Sequence, residues 1–164
     1  MKKTNAMREL DKAKIQYQYY EYEVDENHLG AIDVALKTGQ DITRIFKTLV
    51  LVNEKKEMIV ACIPGSDTID LKKLAKVSSS KKVEMIEMKQ LLPMTGYIRG
   101  GCSPIGIKKK HRTFLHSSAR NKESIIVSGG MRGLQIELAT EDLIAYVGME
   151  VEDIIVWGRK DRKG

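Results

Sequence analysis

Residues that could carry out chemistry concentrate in a glycine-rich stretch from Gly96 to Lys110. Adjacent glycines at 100 and 101 leave a bare backbone that a ligand can approach closely, and their N–H groups could bind an anion or a developing oxyanion. Positive charge follows directly, in Lys108, Lys109 and Lys110. The pattern suits a phosphate-bearing ligand, and it equally suits a surface turn with a solvated basic flank.

A second group of candidates lies around two other segments. Lys47 follows Phe46 at the start of a nearly continuous apolar run, so its ammonium must reach the surface or face a cavity. Thr48 and Ser128 supply hydroxyl groups, and Ser128 opens a second glycine-rich turn. We predict one pocket, walled by the two glycine-rich turns, that works by positioning and backbone electrostatics.

Metal and triad chemistry find little support in the sequence. His111 and His116 stand without a ligand cluster, and no Cys-x-x-Cys, Gly-x-Ser-x-Gly or P-loop pattern occurs. Cys102 could act as a thiolate with His111 as its base. We interpret Cys102 instead as a small packing residue, and we expect no metal and no cofactor.

Composition bounds the class of protein. The 164 residues are 42% hydrophobic and 30% charged, with a net charge of +6, which predicts one globular domain over residues 1–164. No apolar run is long enough to span a membrane, and the first residues do not resemble a signal peptide, so we expect a cytoplasmic protein with free thiols. Basic blocks at Arg99–Arg112 and Arg159–Lys163 permit a polyanionic partner.

The predicted elements position these candidates in an α+β fold with a mixed, barrel-like sheet and surrounding helices. Helices are expected to begin at five places: Thr4, Gly30, Asp70, Glu87 and Thr140, the fourth ending before Pro93. Leu71, Leu74 and Ala75 are expected to face inward. The expected strands are Ile15–Tyr22, Phe46–Val52, Met58–Ile63, Lys81–Met85, Thr113–His116, Ser124–Ser128 and Leu134–Leu138.

Three segments resemble the YbaK/EbsC family of Cys-tRNA(Pro) deacylases, which is related to the editing domain of bacterial prolyl-tRNA synthetases. They are Phe46–Leu49 (FKTL), Thr95–Gly106 (TGYIRGGCSPIG) and Val127–Leu138 (VSGGMRGLQIEL). Their order and spacing match, so the resemblance covers essentially the whole chain. It implies a trans-editing aminoacyl-tRNA deacylase that hydrolyses mischarged Cys-tRNA(Pro).

The resemblance also implies roles for individual residues. Lys47 is the residue most closely tied to activity, and Gly100, with Gly101 beside it, lines the carbonyl site. The substrate-binding positions are Tyr22, Leu29, Thr48, Ser103, Ser128 and Gln135. Gln135 stands where an aspartate is familiar, and Leu29 stands where an aromatic is familiar. We therefore expect weaker selection of the amino acid by charge and more by size.

The mechanism implied by the resemblance is substrate-assisted, because the cysteine thiol attacks its own ester and the protein orients it. The implied partners are aminoacyl-tRNA, with tRNA(Pro) favoured, and prolyl-tRNA synthetase, with no membrane. We predict that Lys108, Lys109, Lys110 and Arg112 contact tRNA. Alternatives are a deacylase for another misacylated tRNA such as Ala-tRNA(Pro), a non-catalytic tRNA- or synthetase-binding module, and a regulatory role.

Overall fold

The computed structural model describes residues 2–157. The predicted basic block at Arg159–Lys163 lies outside them. The helices are α1 (Asn5–Lys12), α2 (Ala31–Thr38), α3 (Leu71–Val77), α4 (Met88–Thr95) and α5 (Thr140–Val147). Two 3-10 turns cover Ile42–Arg44 and Ser117–Asn121. The strands are β1 (Tyr17–Glu21), β2 (Phe46–Asn53), β3 (Met58–Pro64), β4 (Val83–Met85), β5 (Arg112–His116), β6 (Ser124–Ser128), β7 (Leu134–Ala139) and β8 (Glu150–Glu152).

The strands form two sheets. One has the order β1-β7-β6 and is antiparallel, and the other has the order β4-β2-β3-β5-β8 and mixes antiparallel with parallel pairs. An isolated parallel bridge joins Ile45, just before β2, to Ile126 in β6. The α+β class and the mixed pairing are therefore confirmed. The strands meet through this bridge as two sheets, and they do not close into one barrel.

Local sequence signals set the ends of several helices. The Thr4 side chain accepts a hydrogen bond from the Met7 N–H, and the Asp70 side chain caps α3 in the same way. Gly39 and Gly148 end α2 and α5 in the left-handed conformation that glycine adopts at little cost. These four boundaries follow from residues within one turn of the helix end.

The β2–β3 hairpin lies between the main apolar clusters. Every residue of β3 is buried, as its continuous apolar run predicts, and β3 pairs with β2 on one side and β5 on the other. Phe46 belongs to a large cluster with α1 and the first sheet, whereas Leu51 belongs to a second cluster with α3. The start of β2 is therefore fixed where the two sheets meet.

Three local expectations are wrong. Helix α4 runs through Pro93 and ends at Gly96 in the left-handed conformation. Thr140 is the first helical residue rather than the cap, and its hydroxyl donates to the Lys122 carbonyl. Leu71 is exposed, because it lies on the outer face of α3. Strand β8 was not predicted, because its three residues carry no apolar run. No helix of residues 2–157 is long and apolar enough to cross a membrane.

Candidate active site

A cavity of about 240 Å³ lies where the start of β2, the end of β6 and the start of β7 come together. The glycine-rich loop after α4 and the segment before α2 close it on the other sides. Its polar or charged lining residues are Tyr22, Lys47, Thr48, Arg99, Ser128 and Gln135. The lining contains no carboxylate. Seven of the predicted site residues line it: Tyr22, Leu29, Lys47, Thr48, Gly100, Ser128 and Gln135.

The Lys47 ammonium was expected either to reach the surface or to face a cavity. Lys47 lines this cavity, so the second placement is the one observed. Lys47 is the second residue of β2 and pairs with Ile63 of β3. Burial lowers the pKa of the Lys47 ammonium, and the negative charge of Asp67 partly opposes the shift. Among residues 2–157 the ammonium forms no ion pair within 4.0 Å. It is therefore a half-buried positive charge that is available to a ligand.

Gly100 lies in a tight turn in which the Gly101 N–H donates to the Ile98 carbonyl at 2.9 Å. Its φ of +83° is in the left-handed region that favours glycine. A Cβ added there would lie 3.4 Å from the Cγ and Nε atoms of Arg132 and 3.6 Å from a Leu29 methyl carbon. Within the described residues, the Gly100 N–H has no hydrogen-bond acceptor. Its backbone donor is thus available at the edge of the cavity.

Gly101 does not share that role. It is buried beside the second glycine-rich turn, and a Cβ there would approach the Met131 Cα at 3.0 Å. Because its N–H already donates within its own turn, the expectation that it supplies a second carbonyl donor is wrong. Gly101 instead lets the two glycine-rich turns touch, which confirms that they wall one pocket.

Ser128 and Gln135 are paired residues at the end of the β6–β7 hairpin. The Ser128 hydroxyl accepts a hydrogen bond from the Gly130 N–H at 3.2 Å, which fixes the turn. The Gln135 side chain is only 4% exposed, and its Oε1 atom has no hydrogen-bond partner within the described chain. A buried acceptor without a donor costs about 1–3 kcal/mol, so Gln135 Oε1 is a destabilising group in the wall of the cavity.

Of the remaining residues predicted to bind substrate, some line the cavity and one stabilises the loop beside it. Tyr22 follows β1 and Leu29 precedes α2, and both line the cavity. The Thr48 hydroxyl lies 3.8 Å from the buried Cys62 sulfur. Ser103 is fully buried outside the lining, and its hydroxyl accepts a hydrogen bond from the Ile105 N–H. Ser103 therefore holds the loop, and the expectation that it contacts substrate is wrong.

Cys102 lines the cavity, but burial raises the pKa of its thiol to about 12. The thiolate is therefore scarcely populated at neutral pH. His111, the base considered for it, lines a different groove, and its Nδ1 contacts the Lys109 carbonyl oxygen. Across residues 2–157 no three His, Cys, Asp or Glu side chains are grouped so that they could hold a metal ion.

Three of the four residues predicted to contact tRNA lie elsewhere, since Lys109, Lys110 and Arg112 line a groove of about 870 Å³ that we call the far groove. Lys108 is not part of that lining. The charged lining residues of the far groove are Lys56, Glu57, Glu84, Glu87, Lys109, Lys110, His111 and Arg112. Arg112 pairs with Ile59 of β3, four positions from the Ile63 that pairs with Lys47, so about 13 Å of strand separates the two levels. Glu150 binds the Arg112 guanidinium through two hydrogen bonds of 2.7 and 2.8 Å.

Two arginines at the cavity were missed by the assignment of roles from sequence. Arg99 lines the cavity, and the Arg132 side chain lies over Gly100 with its Nε donating to the Arg99 carbonyl at 2.7 Å. We call Arg99 and Arg132 the mouth arginines. Their positions within the two glycine-rich turns were the available signal, since the turns were already expected to wall one pocket.

Comparison with known proteins supplies the family. The sequence profile of the aminoacyl-tRNA editing domain family matches residues 26–146. The chain belongs to this family.

Two relatives refine that assignment. The chain is 51% identical over 152 residues to the Enterococcus faecalis protein named "Putative Cys-tRNA(Pro)/Cys-tRNA(Cys) deacylase EbsC", covering 93% of each chain. It is also 29% identical over 102 residues to a proline–tRNA ligase of Brachyspira hyodysenteriae, covering 57% of this chain and 18% of the ligase. The resemblance inferred from the three motifs is thereby confirmed.

The fold is shared with solved structures. One, described as "a putative trans-editing enzyme for prolyl tRNA synthetase", superposes with a TM-score of 0.79 at 20% identity, covering 95% of this chain and 99% of that one. At this level of identity the superposition establishes the fold.

Proposed function

We propose that this protein is a trans-editing deacylase that removes cysteine from mischarged Cys-tRNA(Pro), acting as one editing domain. The observation that carries the proposal is the cavity itself, in which the Lys47 ammonium and the Gly100 N–H are available to a ligand and the wall contains the unpartnered Gln135 Oε1. An aminoacyl ester has a complement for each, namely a carbonyl oxygen that becomes negative and an α-ammonium that donates.

The size of the cavity supports an amino-acid ligand. At about 240 Å³ it is smaller than the roughly 300–1,000 Å³ of sites for drug-sized ligands. The aminoacyl group enters, whereas the terminal nucleoside of the tRNA stays at the mouth. Leu29 and Tyr22 form apolar walls for the side chain of the substrate amino acid. The amino acid is therefore selected by its size and by its contact with the single buried amide of Gln135.

The reaction uses the thiol of the substrate as nucleophile. The cysteine sulfur bonds to its own ester carbon, the bond from that carbon to the ribose oxygen breaks, and the thiol proton passes to the ribose oxygen. Water then opens the resulting thiolactone to free cysteine. Lys47 and the Gly100 N–H stabilise the negative charge on the carbonyl oxygen, and such donors are typically worth about a hundredfold or more in rate.

The protein supplies orientation rather than a nucleophile. The Cys102 thiol is held protonated by burial, which agrees with a chain that positions the reacting group of its substrate. Alanine carries no thiol, so Ala-tRNA(Pro) resists this route. We also propose that prolyl-tRNA synthetase is a partner that supplies tRNA specificity, because a cavity of this size reads only the amino acid.

The test is deacylation of Cys-tRNA(Pro), Cys-tRNA(Cys) and Ala-tRNA(Pro) by the wild type and by Lys47→Ala. We expect rapid loss of cysteine, slow loss of alanine, and loss of activity in the variant. Comparable hydrolysis of Ala-tRNA(Pro) would instead indicate a water nucleophile. No hydrolysis of any substrate would leave a tRNA- or synthetase-binding module with an editing fold.

A further inference from the structure

The mouth arginines have no role in the carbonyl chemistry proposed above, yet they lie next to Gly100, which is assigned to the carbonyl. The Nε and Cγ atoms of Arg132 lie 3.4 Å from the position that a Cβ on Gly100 would occupy. Arg99 contributes to the lining of the same cavity. The Arg132 guanidinium therefore stands beside the glycine whose N–H we assign to the ester carbonyl, and Arg99 is the residue directly before that glycine.

Their charges are not compensated within residues 2–157. Neither arginine forms an ion pair, and the only side-chain hydrogen bond between them is from Arg132 Nε to the Arg99 backbone carbonyl. That bond fixes the orientation of the Arg132 guanidinium and leaves its two terminal nitrogens available. The cavity lining adds the Lys47 charge and no carboxylate. Such a cluster of cations attracts an anion.

Acceptor-end geometry identifies the anion. The ester of an aminoacyl-tRNA is on the terminal ribose, and the nearest phosphate is the 5′-phosphate of that same nucleotide. When the carbonyl lies at Gly100, this phosphate lies one nucleoside away, just outside a cavity that is too small for the nucleoside. Arginine is suited to phosphate because its planar group can donate two parallel hydrogen bonds.

We propose that Arg99 and Arg132 bind the 5′-phosphate of the terminal adenosine and thereby place the ester at Gly100. This inference rests on the proposed function for the identity of its ligand. It assigns the contact with the single-stranded end of the tRNA to the mouth arginines and not to the far groove.

The test uses two non-hydrolysable analogues, in which cysteine is joined by an amide to 3′-amino-3′-deoxyadenosine, with or without a 5′-phosphate. Calorimetry measures the affinity of each. We expect the wild type to prefer the phosphorylated analogue by about ten- to hundredfold, the range of hydrogen bonds to charged groups. Arg99→Ala/Arg132→Ala should bind both analogues equally, and Arg99→Lys/Arg132→Lys should recover part of the preference.

A matched control removes two exposed cations away from the cavity, in Lys76→Ala/Arg120→Ala, and should keep the wild-type preference. General damage to the cavity would weaken both analogues alike, so only loss of the phosphate preference supports the inference. A wild type without the preference, or an alanine pair that keeps it, overturns the inference. A retained preference in a protein that deacylates no tRNA would contradict the proposed function alone.

Discussion

The cavity mouth and the far groove are both basic, but their charges are held differently. At the mouth, Lys47 is half-buried without an ion-pair partner and the cavity lining has no carboxylate. In the far groove, Arg112 is bound by Glu150 through two hydrogen bonds, and three further glutamates line the same surface. Charge that is already compensated contributes less to ligand binding. An arginine that is already bound by a carboxylate, such as Arg112, is therefore a poorer guide to the site than a lysine without an ion-pair partner at the start of a buried strand.

The largest effect is expected from Lys47. Replacement by alanine removes the charge that faces the developing oxyanion, so kcat/KM for Cys-tRNA(Pro) should fall by about 10²–10³-fold. Lys110→Ala, in the far groove, is the matched control and should leave kcat unchanged. Equal losses in the two variants would contradict the distinction between the regions.

Lys47 should also show a cost in stability. Its pKa in the folded state is below its ordinary value of 10.5, so the charged form destabilises the fold at neutral pH. This cost is relieved as the pH rises through the lowered pKa towards 10.5. Lys47→Met should therefore melt at the same temperature as the wild type or higher, by about 2–4 °C for each kcal/mol gained. A lower melting temperature would mean that Lys47 has a structural role.

The next largest effect is expected from Gly100, which can be compared with Gly96 because the two glycines have the same backbone conformation. Gly100 and Gly96 have φ values of +83° and +82°, so alanine at either costs about 1–2 kcal/mol of strain. Only at Gly100 would the new methyl group meet side chains, those of Arg132 and Leu29. Gly100→Ala should reduce kcat/KM about tenfold or more because the methyl group would occupy space beside the amide at the edge of the cavity, whereas Gly96→Ala should destabilise equally and retain activity. Similar activities in the two variants would remove Gly100 from the carbonyl site.

Gln135 should control recognition of the amino acid rather than the chemical step. Gln135→Leu removes the buried acceptor, so KM should rise about tenfold or more while the free energy of unfolding stays the same or increases. Gln135→Asp introduces a charge opposite the α-ammonium and should alter the preference among amino acids. If neither variant changes the substrate profile, Gln135 does not face the ammonium group.

A smaller effect is expected from the lysine run, of which Lys109 and Lys110 line the far groove. Joint replacement of Lys108, Lys109 and Lys110 by alanine should weaken tRNA binding by a few-fold and flatten its salt dependence, by roughly one unit of slope for each phosphate that the variant no longer binds. The value of kcat should not change. Unaltered binding and salt dependence would identify these lysines as a solvated face.

The smallest effect is expected at Cys102. Because burial raises the pKa of its thiol to about 12, Cys102→Ala should retain activity within about twofold. Treatment with a thiol-directed reagent provides an independent check, since a protonated thiol reacts slowly. A large loss of activity in the variant would require a role for the protein thiol in the reaction.

Local patterns were sufficient for much of the fold. Asp70 caps α3 and Gly39 ends α2 because both effects act within a single helical turn. The apolar run of β3 likewise required only burial on both faces. Pro93 was expected to stop α4, but the helix continues through it and ends at Gly96.

The site was harder to predict, because both the hydrogen bonds within a loop and the contacts between distant segments decide which groups remain available. Gly101 was assigned a free N–H, which its own turn consumes, and Ser103 was assigned to the substrate although it is buried in the loop. Arg112 is paired with Glu150, 38 positions away. Arg132 reaches Gly100 only because the two glycine-rich turns touch. The resemblance of the motifs was enough to locate the cavity. Three-dimensional contacts were needed to distinguish the residues that line it from those that stabilise the surrounding loops.

The most direct test of the thiol-assisted mechanism compares single-turnover deacylation of Cys-tRNA(Pro) and Ser-tRNA(Pro). The two substrates differ only in sulfur against oxygen at the side-chain nucleophile, so they fit the cavity almost equally. We predict rapid loss of cysteine and loss of serine near the uncatalysed rate. Comparable rates for the two substrates would contradict the mechanism, because the protein would then activate a water molecule or a nucleophile of its own.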